Sequence, residues 1–167
     1  TGKLIALDGD LGARGYAFLR QFGASINIKN TVMFNTKTLD IHTDVEAFER
    51  DVVEGLRHGL KIFIPSMSNT YAIDLHDKIK RAVRNVNAKL YNATSNEKEK
   101  EMDSKDITNS WSQADCVITT PTIEAGVSFD KEHVDRIYGV IAERSCTQTA
   151  FFQMMGRVRK VKDPTIK

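Results

Sequence analysis

Residues 145–160, SCTQTAFFQMMGRVRK, combine a helix pattern, a helix terminator and a cluster of cations. The spacing Ser145-x-x-Gln148 is that of a capping box, in which a hydroxyl and an amide bind the free N–H groups of the first helical turn. The apolar residues that follow recur at helical spacing, so one face of the predicted helix can pack against a core. These residues are Ala150, Phe151, Met154 and Met155.

The predicted helix ends at Gly156, and three cations, Arg157, Arg159 and Lys160, follow the glycine closely. A helix that is buried on one side and ends in this way can direct positive charge toward a phosphate group. Cations also favour helix C-termini for electrostatic reasons alone, so a solvated basic cap is the alternative. The local sequence leaves both interpretations open.

The composition indicates one globular domain of ordinary size, because 41% of the 167 residues are hydrophobic and 28% are charged. The net charge of +2 is too small to indicate a partner, so any nucleic-acid surface must be local. The first residues, TGKLIALDGD, lack the long apolar region of a signal peptide, and no run approaches a membrane span. Cys116 and Cys146 show no repeated spacing. We therefore expect a soluble intracellular protein without a disulfide framework or a metal site.

Apolar runs alternate with helical patterns along the chain, which predicts an α/β fold. The strongest strand candidates are residues 60–64 (LKIFI), 115–120 (DCVITT) and 135–142 (DRIYGVIA). Such alternation with short loops indicates a mainly parallel sheet with helices on both faces, which is a three-layer sandwich. The loops that follow these strands are then expected at one edge of the sheet.

Two helix starts frame the first of these strands. One has the capping-box spacing Thr43-x-x-Glu46, and the other follows Ser66-Met67-Ser68, directly after the strand. Hydroxyls and free N–H groups at a helix start make a natural phosphate site. The alternative is that Ser68 is simply an N-cap residue.

Residues 3–7 (KLIAL) predict a further strand, which ends at Asp8 and Asp10. The two acids could be a nucleophile and an acid/base, as in the similar Asp-x-Asp of haloacid-dehalogenase-type phosphatases. They could also couple two sites, or simply cap the following helix. A phosphatase would need a later strand that ends in an acidic pair to hold Mg²⁺, and the strand that ends at Thr120 offers Thr-Thr-Pro instead.

Two segments resemble motifs of superfamily 2 helicases. Gln153-x-x-Gly156-Arg157-x-x-Lys160 resembles motif VI, Gln-x-x-Gly-Arg-x-x-Arg, although Lys160 replaces the last arginine and Arg159 lies one place earlier. Thr120-Pro-Thr-Ile-Glu-Ala-Gly126-Val-Ser resembles motif V, in which a strand delivers a threonine to a loop with an acid and a glycine. Together, TPTIEAGVSFD and QMMGRVRK most resemble the helicase domain of the herpesvirus origin-of-replication-binding protein family.

The resemblance implies the RecA-like C-terminal lobe of an ATP-dependent DNA helicase of the origin-binding type. Residues 1–167 would form this single lobe, with residues 1–24 as a candidate tail of the preceding lobe. Asp8 and Asp10 would replace motif III. Lys61–Ser66 resembles motif IV by its position in the chain. The motif IV and V loops would contact the nucleic-acid backbone through Ser66, Thr120, Thr122 and Glu124.

The resemblance also implies a nucleotide-facing set. Gly126, Ser128 and Asp130 would lie on the nucleotide side. Many relatives have an aspartate at the position of Ser128 for a contact to the ribose, and Asp130 is the candidate to replace it. Motif VI would supply the catalytic residues Gln153, Arg157, Arg159 and Lys160. Strict spacing assigns the arginine finger to Lys160. Arg159 is the better chemical candidate, because a planar guanidinium stabilises a phosphoryl transition state better than an ammonium group.

The sequence contains no Gly-x-x-x-x-Gly-Lys-Ser/Thr loop, and no predicted strand is followed by an Asp-Glu metal-binding motif. By the resemblance, ATP and Mg²⁺ would be bound mainly by an N-terminal RecA-like lobe, which is then an expected partner. Single-stranded DNA and replication proteins are the other expected partners, and a viral source would place the protein in the host nucleus or cytoplasm. The alternative is a non-catalytic docking lobe, which the departures at Ser128 and Lys160 would fit.

We predict that the isolated chain shows no measurable ATP hydrolysis, because it lacks a phosphate-gripping loop. Steady-state hydrolysis with and without single-stranded DNA is the measurement. Turnover above background that disappears in Asp8→Asn would contradict the helicase interpretation and favour the phosphatase.

Overall fold

The computed structural model describes residues 13–23, 37–95, 106–121, 128–143 and 145–167. The chain divides into two compact units, Thr1–Asn35 and Thr36–Lys167. The described part of the first unit is helix α1 (Ala13–Arg20) and the turn after it. Its Phe18 and Phe22 rings meet edge to face with centroids 5.0 Å apart. Asp8 and Asp10 lie outside the described residues, so their predicted roles stay predictions.

The second unit alternates strands and helices. Among its described residues, the strands are β1 (Thr38–Leu39), β2 (Ile62–Pro65), β3 (Ala88–Tyr91), β4 (Cys116–Thr119), β5 (Arg136–Ile137) and β6 (Thr165–Ile166). Its helices are α2 (Val45–Arg57), α3 (Asn69–Ala82), α4 (Ile107–Ser112) and α5 (Gln148–Met155). Within the described residues, no helix is both long and apolar enough to cross a membrane.

The six strands form one sheet in the order β1-β6-β5-β2-β4-β3, and every pair is parallel. Strand β2 lies at the centre, with Phe63 opposite Val117 of β4 and Ile137 of β5. The prediction of a parallel α/β sheet is therefore confirmed. Because all strands point the same way, their carboxyl ends share one edge of the sheet.

Each face of the sheet is covered by its own core, because successive strand residues point to opposite sides. Ile62 and Ile64 of β2 pack with α2 and α3, whereas Phe63 between them packs with α4 and α5. The first core also contains Phe48, Val52, Leu56, Ala72, Leu75, Ile79, Cys116, Ile118 and Tyr138. The second contains Trp111, Val117, Phe129, Phe151, Met154, Met155 and Val158 among its buried residues. The predicted three-layer arrangement is confirmed.

Two of the three predicted helix caps are shifted. The N-cap of α2 is Asp44 rather than Thr43, and its Oδ1 accepts hydrogen bonds from the N–H groups of Glu46 and Ala47. The N-cap of α5 is Thr147 rather than Ser145, and its Oγ1 accepts from Ala150 N at 3.2 Å. Each cap lies immediately before its helix, where a side-chain oxygen reaches the N2 or N3 amide. The predicted cap of α3, Ser68, is confirmed.

Charged side chains connect the amino ends of the central strands. The Lys61 ammonium lies 2.6 Å from Asp115 Oδ1, and the Lys61 backbone N–H donates to Asp135 Oδ2 at 2.6 Å. Asp115 also accepts from Asn87 N, and Asp135 from Lys162 Nζ. Burial favours a raised pKa for Asp115 and Asp135, but these hydrogen bonds and the neighbouring positive charges lower the pKa of both carboxyls.

We predict that acid destabilises the fold through these two carboxyls. Their folded pKa values lie below the unfolded value of about 4, so the stability that they contribute is present above that pH. It is lost as the pH falls through the folded pKa values. Urea unfolding from pH 6 to pH 2.5 measures this, and Lys61→Met should show a smaller loss. A free energy of unfolding that stays constant over this range would contradict the prediction.

Gly139 has no room for a side chain, because a Cβ atom built on it would lie 2.9 Å from Cζ of the buried Phe151 ring. We predict that Gly139→Ala lowers the free energy of unfolding by about 1–3 kcal/mol. Gly55→Ala is the matched control. Its Cβ would meet the flexible tips of Ile62 and Leu60 at 3.2 and 3.3 Å and the Tyr138 hydroxyl at 3.9 Å, and alanine favours helix α2. Urea denaturation should show a change of less than about 1 kcal/mol for Gly55→Ala, and equal effects of the two variants would refute the steric argument.

Candidate functional site

Ser66 and Thr120 lie side by side at the carboxyl edge of the sheet. Ser66 N donates to Thr119 O at 2.8 Å, and Thr120 N donates to Tyr91 O at 2.9 Å. These bonds continue the parallel pairing of β2, β4 and β3 by one residue beyond each strand. The expected juxtaposition of Ser66 and Thr120 is therefore observed, although both residues are buried.

The Ser66 hydroxyl is used inside the loop that leads to α3. It donates to Ser68 O at 2.9 Å and accepts from Ser68 N at 3.2 Å. Ser68 in turn caps the helix by accepting from Tyr71 N at 3.2 Å. In this structure Ser66 shapes the loop, and the exposed polar groups at this helix start belong to Asn69 and Thr70.

Asn92 extends the polar edge to a third strand and was not predicted from the sequence. Its buried Oδ1 accepts from Thr94 N, Thr94 Oγ1 and Ser95 Oγ at 3.1, 3.0 and 2.8 Å. This Asx turn holds Thr94 at the surface just beyond β3. The sequence feature that could have predicted this turn is the run Asn-Ala-Thr-Ser at residues 92–95, directly after an apolar segment.

Helix α5 buries its apolar face and exposes the first residue of the predicted motif VI. Phe151, Met154 and Met155 pack into the core, whereas Gln153 is exposed. Gly156 follows the helix, as predicted, with φ near −69°, so the helix stops without a left-handed residue. The cationic segment, residues 157–160, follows Gly156 directly.

The segment after α5 runs parallel to the segment that follows the predicted motif V loop. Phe129 N donates to Arg157 O at 2.8 Å, and Arg159 N donates to Phe129 O at 3.1 Å. The Phe129 ring is fully buried, with its centroid 5.7 Å from that of Trp111. A buried aromatic residue therefore fixes the register between two segments that are distant in the sequence.

This pairing brings the charged side chains of both segments together. Arg159 Nε lies 3.3 Å from Asp130 Oδ1, and Ser128 Oγ donates to the same oxygen at 3.3 Å. Arg157 is half-buried, and burial lowers the pKa of its guanidinium, which nevertheless stays protonated at neutral pH. Lys160 is exposed.

Thr122, Glu124 and Gly126 lie outside the described residues, so their predicted roles stay predictions. Across the described ranges, no cluster of three or more His, Cys, Asp or Glu side chains could hold a metal ion. The described site thus has two groups, a polar carboxyl edge and a cationic segment that is bound to residues 128–130.

Known proteins resemble the chain over most of its length. A replication origin-binding protein of Acanthamoeba polyphaga mimivirus is 29% identical over 161 residues, which are 95% of this chain and 20% of that protein. A helicase/primase complex protein of African swine fever virus is 29% identical over 177 residues, which span 100% of this chain and 16% of that protein. The chain therefore spans a fifth or less of the length of these relatives.

Among solved structures, the crystal structure of T4 UvsW matches with a TM-score of 0.47 and 12% sequence identity. The match covers 73% of this chain and 25% of that one.

A family model described as origin of replication binding protein matches residues 11–166. The matched range contains the whole cationic segment, the Phe129 pairing and the polar carboxyl edge. Since the match covers nearly all of the sequence, the chain belongs to the origin of replication binding protein family.

Proposed function

We propose that this chain is the second motor lobe of an ATP-dependent superfamily 2 DNA helicase that acts in replication. The observation that carries the proposal is the pairing of residues 157–159 with residues 128–130, through Phe129. It joins the end of the motif V-like segment to the cations of the motif VI-like segment. Family membership and the names of the relatives, which refer to origin binding and a helicase/primase complex, support the same assignment.

The cationic segment suits the terminal phosphates of ATP. Arg157 and Arg159 carry planar guanidinium groups, which match phosphate oxygens in pairs, and Arg159 is exposed enough to reach a ligand. The described residues offer no cluster of acids for Mg²⁺. We therefore assign Mg²⁺ and most of the nucleotide contacts to an N-terminal RecA-like lobe, and to this chain the stabilisation of charge on the transferred phosphoryl group.

The carboxyl edge suits a nucleic-acid backbone. The exposed Asn69 and Thr70 begin helix α3 there, and the exposed Thr94 lies in the turn after β3. Ser66, Ser68 and Asn92 hold these segments in place. Hydroxyl, amide and backbone N–H groups bind phosphates without reading the base sequence. We therefore assign single-stranded DNA to this edge and leave origin recognition to other parts of a longer protein.

The two sites are mechanically linked in this proposal. In the sequence, residues 128–130 follow Thr120 within the motif V-like segment, and Phe129 binds the backbone on both sides of Val158. A movement of Arg159 toward phosphate would therefore displace residues 128–130. Closure on ATP and reopening after hydrolysis would then shift the grip on the DNA strand by a step.

We predict that Arg159→Ala abolishes hydrolysis in a protein that contains both lobes. Loss of such a residue typically lowers the rate by ~10³–10⁵-fold. The neighbouring cation is the matched control, and Lys160→Ala should lower the rate by less than about fivefold, since an ammonium group cannot bridge two phosphate oxygens as a guanidinium can. Arg157→Ala should also be severe. Single-turnover ATP hydrolysis is the measurement, and filter binding of single-stranded DNA should stay nearly unchanged.

Two outcomes would overturn parts of this proposal. An inactive Lys160→Ala beside a nearly normal Arg159→Ala would assign the finger to Lys160, as strict motif spacing does. Wild-type hydrolysis in all three variants would remove the catalytic role and leave a lobe that only docks DNA or protein.

A further inference from the structure

We propose that Asp130 is the positioning residue of the Arg159 guanidinium. This inference rests on the proposed function, because it concerns how the candidate finger is presented to a phosphate. This role replaces the nucleotide contact that the resemblance implies for Asp130, because its carboxylate lies against Arg159 and Ser128. Asp130 would influence hydrolysis only through Arg159.

Arg159 is held at two points on neighbouring residues. Its backbone N–H donates to Phe129 O at 3.1 Å, and its side-chain Nε lies 3.3 Å from Asp130 Oδ1. The first contact fixes where the side chain begins, and the second restricts where the guanidinium lies. A long, rotamer-rich side chain thereby favours the rotamers that keep Nε beside Asp130.

The atoms in this contact matter. A guanidinium carries one N–H on Nε and four on its two terminal nitrogens. Because Asp130 approaches Nε, the terminal nitrogens stay available for a second acceptor. Two parallel N–H groups match two phosphate oxygens, so Arg159 can keep Asp130 on one edge while it binds a phosphate with another.

Two further observations bear on the positioning role of Asp130, namely its contact with Ser128 and the solvent exposure of the Arg159–Asp130 pair. Ser128 Oγ donates to Asp130 Oδ1 at 3.3 Å, which restrains the carboxylate that restrains Arg159. The Arg159 and Asp130 side chains are 66% and 61% exposed, so the pair adds little to folding stability. Its effect should therefore appear in catalysis, where a small misplacement of a charged group is costly.

Lys160 provides the contrast within the same segment. It is exposed, and no acidic side chain in the described part of the chain pairs with it. A substitution at Asp130 should therefore leave Lys160 unaffected. The two adjacent cations differ in whether an acid orients them.

The test is a set of substitutions in a protein that contains both lobes. Asp130→Asn should lower kcat for ATP hydrolysis about five- to tenfold, because the Arg159 guanidinium loses its orientation toward the transition state. The KM for ATP should change less than about twofold, because ATP binding in the ground state does not depend on that orientation. Asp130→Glu should restore most of kcat, since it keeps the charge. The melting temperature of the 167-residue chain should stay the same in each variant. A kcat within twofold of wild type for Asp130→Asn would overturn the inference.

A double-mutant cycle separates positioning from a general effect. In an Arg159→Lys background, Asp130→Asn should change kcat less than about twofold, because lysine has no Nε edge to be held. In a Lys160→Ala background it should keep its full effect. Equal effects in both backgrounds would overturn the inference. Unimpaired Arg159→Lys and Arg159→Ala proteins would instead overturn the proposed finger.

A spectroscopic measurement on the 167-residue chain needs no second lobe. The side-chain Nε–H resonance of Arg159 should shift in Asp130→Asn and stay in place in Lys160→Ala. An unmoved resonance in Asp130→Asn would show that Asp130 does not hold the guanidinium, whatever the kinetics of the two-lobe protein.

Discussion

Two backbone hydrogen bonds to Phe129 hold the candidate site together. They join Phe129 N to Arg157 O and Arg159 N to Phe129 O. Each bond alone contributes on the order of 1 kcal/mol, but the fully buried Phe129 ring against Trp111 fixes their register. A slip by one residue would expel this ring from the core, so the cations after α5 have a defined position relative to Ser128 and Asp130.

The two ends of the sheet have different tasks. At the amino ends of the strands, Lys61 donates hydrogen bonds to Asp115 and Asp135. These bonds connect the start of β2 to the starts of β4 and β5. At the carboxyl ends, polar groups such as those of Ser66 and Asn92 are used to shape loops rather than to form ion pairs. The charged end thus stabilises the scaffold, and the polar end presents exposed loops that a ligand can approach.

The scaffold was largely predictable because its signals are local. Apolar runs identified β2 and β4, and the spacing of Phe151, Met154 and Met155 identified the buried face of α5. The caps at Asp44 and Thr147 were misplaced by one and two positions, since several hydroxyls and acids near a helix start fit the same pattern. Such ambiguity is resolved only by the backbone geometry.

The sequence supplies the candidate residues of the site and not their arrangement. The motif resemblance names Arg157, Arg159 and Asp130 as candidates, but no local pattern predicts an ion pair between residues 29 positions apart in the sequence. That contact depends on the tertiary pairing at Phe129. The burial of Ser66 and Thr120 has the same origin, because neighbouring strands enclose residues that look exposed in a polar loop.

The most direct test of this account is a structure of the two-lobe protein with single-stranded DNA and an ADP–metal fluoride complex that mimics the transferred phosphoryl group. The account predicts the terminal nitrogens of Arg159 at about 2.9 Å from the fluoride ligands, with Asp130 still at Nε. Arg159 in solvent with Lys160 at the fluoride, or no cation of this segment near the nucleotide, would contradict it.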